Sequence, residues 1–129
     1  MTTSRPLTAR SLLLATLACT AFGAQAATIR VQCEQRADRA KASVDAKNLV
    51  PGVYSTVIVS GGNMAAAPAQ RSVGDELQTD YDSSAADIRA GAVAITPTFV
   101  VGAMLTGKVL DASGNTVIAD TVSCRVRSR

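Results

Sequence analysis

VYSTVIVS, residues 53–60, is β-branched or aromatic at six of its eight positions and carries no charge. β-Branched and aromatic residues fit a pleated, half-buried surface. A run this apolar without helical spacing reads as a strand covered by neighbours on both sides, hence central in a sheet.

Working outward, period-2 alternation continues in both directions. TIRVQCE (28–34) puts Ile29, Val31 and Cys33 on one face and Arg30, Gln32 and Glu34 on the other. AKASVDA (40–46) sets Ala42 and Val44 inward and Lys41, Ser43 and Asp45 outward, with QRADR (35–39) as the hairpin connection. Pro51-Gly52 suits the centre of a type II turn, where proline presets φ and glycine accepts φ > 0. GGNMAAAPAQ (61–70) is a loop with a weak edge strand, because Pro68 cannot donate to a ladder. DELQTDYD (75–82) alternates Leu77, Thr79 and Tyr81 against Glu76, Gln78, Asp80 and Asp82. SSAADIRAG (83–91) is one helical turn, with Ser84 as N-cap, Asp87 three residues on and Gly91 as stop. TFVVGAMLTGKVLD (98–111) is a long strand whose glycines allow a bulge. DASGN turns the chain into TVIADTVSCRVR (116–127), with Val122, Cys124 and Val126 inward.

About six to eight short strands and no long helix predict an all-β fold, a small antiparallel β-sandwich with Greek-key connections. A small closed barrel is the alternative.

The first residues are a targeting segment. Arg5 and Arg10 precede the apolar run SLLLATLACTAFGA (11–24), which ends at Ala24-Gln25-Ala26. That is the pattern of a secretory signal peptide. The run is shorter than the roughly 20 residues a membrane span requires. A lipoprotein signal on Cys19 would want an aliphatic residue where Thr16 stands. The expected organisation is a signal peptide over residues 1–26 and a single β-sandwich domain over 27–129. Export would place the domain in the periplasm or outside the cell, with no membrane span after cleavage.

Without Arg5 and Arg10 the chain is nearly neutral, so a nucleic-acid or membrane-surface role has no electrostatic support. Cys33 and Cys124 remain, and in an oxidising compartment an even count means a disulfide. It would close a loop of about 91 residues, for which chain entropy gives on the order of 4–5 kcal/mol. C-x-x-C and zinc-ligand spacings do not occur.

The acidic stretch raises calcium. Asp82, Ser84 and Asp87 are the oxygens that the turn after Asp82 would gather. The EF-hand pattern is absent, because Asp80-Tyr81-Asp82 is followed by Ser83 and Ser84 rather than reaching a glycine at the sixth place. The stretch reads as a solvated strand face running into a capped turn, with no cofactor required. Arg30 on the first strand and Arg125 and Arg127 on the last form a possible basic patch if those strands are neighbours. Edge charges more often block aggregation.

Catalysis has little support. The chain has no histidine, the commonest general base. It has no G-x-S-x-G elbow. The expectation is no enzyme but an exported protein with a binding or structural role in the cell envelope, acting on a protein or envelope component. A calcium-stabilised adhesion-type module and a fimbria-like subunit are the alternatives.

GKVLDASGNTV (107–117) resembles the G-x-V-x-D-x-x-G-x-x-V hairpin of bacterial immunoglobulin-like and carboxypeptidase-regulatory-like modules. With VQCE, DYDSSAADIRAGA and VSCRVR, the chain is similar to small exported bacterial immunoglobulin-like β-sandwich proteins of unassigned function. The resemblance implies the sandwich and a disulfide between the terminal strands.

Overall fold

The computed structural model describes residues 26–128. The leader expected over residues 1–26 therefore lies almost wholly outside the described residues, as does Arg129. The strands are β1 (Thr28–Arg36), β2 (Arg39–Lys47), β3 (Val53–Ser60), β4 (Asn63–Ala66), β5 (Gln70–Arg71), β6 (Leu77–Asp82), β7 (Val93–Ala94), β8 (Met104–Asp111), β9 (Thr116–Ser123) and β10 (Arg125–Val126). One short helix, α1 (Ala85–Arg89), follows β6.

The strands form two sheets. The first has the order β10-β1-β2-β6-β7, and the second β4-β3-β8-β9 with β5 paired to one end of β3. The second strand pairs with β6, and β3 with β8, so consecutive hairpins are divided between two layers. This is the Greek-key sandwich of immunoglobulin-like domains. The expected strands are present, and β3 lies between neighbours as its lack of charge predicts. The additional strands are the two-residue β5, β7 and β10.

Alternation explains the packing. Val31 of β1, Val44 of β2, Ile58 of β3, Leu77 and Tyr81 of β6, and Leu105 and Val109 of β8 are buried between the sheets. Three inward residues of β2 are alanines, Ala40, Ala42 and Ala46, so the sheets approach closely. Gly107 of β8 faces β1 and β2, where a Cβ would sit 2.7 Å from Val31 Cγ2 and 3.0 Å from Val44 Cγ2. Only a residue without a Cβ fits there.

Several buried hydroxyls are partnered by one another or by backbone groups. Thr56 Oγ1 of β3 and the Tyr81 hydroxyl of β6 are 2.5 Å apart. Ser60 Oγ accepts the Val101 N–H at 2.7 Å and donates to the Met104 carbonyl at 2.7 Å. The Tyr54 hydroxyl donates to the Val50 carbonyl four residues upstream, as in the tyrosine corner of sandwich proteins.

The disulfide joins the two layers. Cys33 is in β1, and Cys124 is the single residue between β9 of the second sheet and β10 of the first, with Cα atoms 4.6 Å apart. The last strand thus switches sheets at Cys124, and the bond holds that crossing point. Beyond it, β10 runs parallel to β1, with Arg125 beside Glu34.

Four local expectations need correction. Gly52 is not at φ > 0; the chain reverses at Asn48, with φ 61°. Gly52 is committed to pairing instead, donating to Ser72 Oγ and accepting the Ser72 N–H at 2.8 Å. The long strand from Thr98 begins only at Met104, because Gly102 and Ala103 both adopt positive φ (66° and 54°) and form a tight reversal. Val126 is 64 % exposed, since β10 lies at the sheet edge with nothing stacked on it. Ser84 stands at the N-cap of α1 but makes no side-chain cap bond.

Candidate functional site

The outer face of the first sheet is an open groove of ≈ 1020 Å³. Its floor follows from strand register. Arg125, Glu34, Lys41 and Asp82 form one row across β10, β1, β2 and β6. Gln32, Ser43 and Asp80 form the next, and Arg30, Asp45 and Gln78 the third. Ser123 and Arg125 stand on one side; Ala90–Val93 and Ala67–Gln70 stand on the other. Gln70 Nε2 donates to the Gln78 carbonyl at 3.2 Å, tying that wall to β6.

Arg39 dominates the upper end. Its Nε donates to Asp82 Oδ1 at 3.0 Å and its Nη2 to Asp82 Oδ2 at 2.7 Å, a planar two-point contact. The same Nη2 also reaches Asp87 Oδ2. Asp82 Oδ1 accepts the Ser84 N–H at 2.9 Å. Asp82 ends β6 and is only 5 % exposed, so it does not share the solvated face expected for it. Burial works against its ionisation, but the Arg39 hydrogen bonds, the Ser84 N–H and the Arg39 charge outweigh that and lower its pKa to about 2.

This arrangement accounts for the carboxylates once weighed as calcium ligands. Asp82 and Asp87 do converge, while Ser84 contributes its backbone N–H, a donor that cannot ligate a cation. The positive charge between the two carboxylates is Arg39. Among the described residues no group of three His, Cys, Asp or Glu is placed to hold a metal ion.

The basic residues are distributed rather than pooled. Strands β1 and β10 are neighbours, as the patch required, but Arg127 Nε is engaged by Glu34 Oε2 at 3.0 Å. Arg36 Nε meets the same oxygen at 2.9 Å. The Arg36 bond leads in pulling the Glu34 carboxyl below its ordinary range, with Arg127 adding to it. Arg30 faces Asp45 across the β1–β2 ladder, about 13 Å along the strand from Glu34. Arg30 and Arg125 are both without an ion pair among the described residues, and Arg125 lines the groove.

Lys41, Asp45 and Asp80 are likewise without ion pairs among the described residues. Arg36 and Arg127 engage Glu34, and Arg39 engages Asp82 and Asp87, so the charges that line the groove without an ion pair among the described residues are Asp45 and Asp80 against Lys41 and Arg125. Asp80, in the middle row between neutral Ser43 and the wall, is the free carboxylate nearest the groove centre.

Alternation in the sequence identifies every one of these outward residues. It does not reveal that β2 lies between β1 and β6, which is what creates the rows. Arg39 carried no signal at all, because its partners are 43 and 48 residues away. The chain matches no known protein family, and no curated protein is similar to it in sequence.

Proposed function

We propose that the protein is an exported, non-catalytic binding module of the cell envelope, which holds an extended segment of a protein or envelope polymer in the groove of the first sheet, with a basic group of that segment against Asp80. The observation that carries this reading is the groove itself, polar along its floor, with the Asp80 carboxylate in its middle row and without an ion pair among the described residues. Export is supported by the secretory pattern of residues 1–26 and by the disulfide, a bond that persists in oxidising compartments. A non-catalytic role is supported by the state of the carboxylates. Asp82, the most buried of them, is held ionised by Arg39, with its pKa lowered to about 2. A general acid or base working near neutral pH needs a pKa moved toward that range.

The test is a titration of the isotope-labelled domain with tetralysine and with tetraglutamate, followed by amide shifts. Tetralysine is expected to move Gln32, Ser43 and Asp80, with an effect that weakens as salt is raised. Asp80→Lys is expected to abolish it. Equal responses to both peptides, or shifts confined to other surfaces, would remove the groove from consideration.

A further inference from the structure

Strand β9 presents a long free sheet edge among the described residues. β10 pairs only with Glu34 and Gln35, so β1 is also unpaired on that side from Thr28 to Cys33; the remaining edges belong to β4, four residues long and followed by Pro68, and to the two-residue strands β5, β7 and β10. The Cys124 N–H donates to the Ala103 carbonyl at 2.7 Å. Antiparallel alternation therefore directs the backbone groups of Val122, Asp120 and Ile118 toward β8, and those of Ser123, Thr121 and Ala119 out of the edge. The contact between Thr106 Oγ1 and Thr121 Oγ1 at 2.6 Å agrees, since side chains are closest in the non-hydrogen-bonded pairs. A bulge beside Val109 and Leu110 leaves Val117 out of register, so the usable edge is Ile118–Ser123.

Two features make this edge selective. Ile118 and Val122 point between the sheets and are only partly covered. Asp120 lies between them on the same side, opposite Gly107. The Asp120 carboxylate accepts the N–H of Thr121 at 3.0 Å, occupying one of the donors the edge would offer. Two copies of β9 cannot pair well. The antiparallel register that sets Thr121 against Ala119 puts Asp120 against Asp120, and the adjacent one puts it against Ile118. Like charges directly opposite are unfavourable, and opposite charges favourable.

We propose that β9 receives an extended segment of a partner protein, a strand that places a basic residue opposite Asp120 and an apolar residue on either side of it, two positions away. The apolar pair covers Ile118 and Val122, and the cation draws Asp120 off the Thr121 N–H, which then donates to the incoming strand. Affinity comes from the main-chain ladder and selectivity from the alternate side chains, as in strand addition generally.

The probe is the blocked heptapeptide TVTKTVT, compared with TVTETVT, added to the labelled domain. The lysine peptide is expected to slow amide exchange at Ala119, Thr121 and Ser123 and to bind roughly ten-fold more tightly than the glutamate peptide. Asp120→Lys is expected to reverse that preference, and Asp120→Asn to erase it. Asp80→Lys, which alters the groove, is expected to leave the response at β9 unchanged, so the two surfaces are tested separately. The proposal is overturned if peptide charge makes no difference at β9, or if Asp120→Lys and Asp120→Asn behave like the parent. It is also overturned if sedimentation shows a dimer whose β9 amides are already protected without peptide.

Discussion

Arg39, the first residue of β2, grips Asp82, the last residue of β6, through two parallel hydrogen bonds of 2.7 and 3.0 Å. The pair joins adjacent strands at the end where the chain leaves the sheet for α1. Removing one partner leaves a nearly buried charge without compensation, and loss of such a contact exceeds that of an exposed pair. Arg39→Met is expected to destabilise the domain by about 2 kcal/mol, read from urea unfolding. Ser84→Ala is expected to stay within about 0.5 kcal/mol, because that side chain makes no cap bond.

The same pair sets an acid dependence. The pKa of Asp82 is about 2 in the folded protein against 3.8 as the ordinary value. A depressed folded pKa contributes stability that is fully present above the unfolded value and is lost as pH falls through the folded one. Between about pH 4 and pH 2 the parent should lose on the order of 2 kcal/mol from this group. Arg39→Met should lose distinctly less over that window. Parallel stability curves for the two proteins would show that the ion pair is not the source.

The disulfide spans 91 residues and pins the point where the last strand changes sheets. Chain entropy assigns such a loop on the order of 4–5 kcal/mol. Cys33→Ser with Cys124→Ser is expected to lower Tm by roughly 20 °C, since each kcal/mol is worth about 4–8 °C in a domain of this size. Exchange of the Arg127 amide, which donates to the Gln35 carbonyl at 2.8 Å, should rise first, because β10 is held by few other contacts. Unchanged melting on reduction would contradict this.

Gly107 of β8 sits against Val31 of β1 and Val44 of β2 with no room for a Cβ. Gly107→Ala is expected to destabilise by about 1–3 kcal/mol through overpacking against Val31 and Val44. Gly62→Ala is the control, since a Cβ there meets nothing within 4 Å and its φ is not positive. Chemical denaturation of the two variants should separate them clearly.

Thr56 and Tyr81 are each only 1 % exposed. Tyr81→Phe should cost about 1–2 kcal/mol by leaving the Thr56 hydroxyl unsatisfied. Adding Thr56→Val should recover part of that loss, because removing both partners removes the orphan. A double variant no more stable than the single one would mean that the hydroxyls are not bonded to each other in solution.

Much of this architecture is legible in the chain. A strand's side chains alternate by covalent geometry, so Val31, Val44, Ile58 and Leu77 announce an inner face and Lys41, Ser43 and Asp80 an outer one. Two cysteines in the terminal strands, with no other thiol in residues 27–129, announce their bond. What alternation cannot supply is which strands are neighbours and how far one is shifted along the next. Those choices place Asp80 beside Ser43, bring Arg39 to Asp82 and set β9 at an edge with Asp120 exposed. They also overrode local preference. Pairing with Ser72 keeps Gly52 out of a turn, and the Arg39 guanidinium draws in Asp82 and Asp87, which local sequence assigns to water and a helix cap. Local sequence determines conformations and faces because those depend on bonded geometry. The tertiary structure decides the groove, the ion pair and the free edge, because they depend on register between segments far apart in the chain.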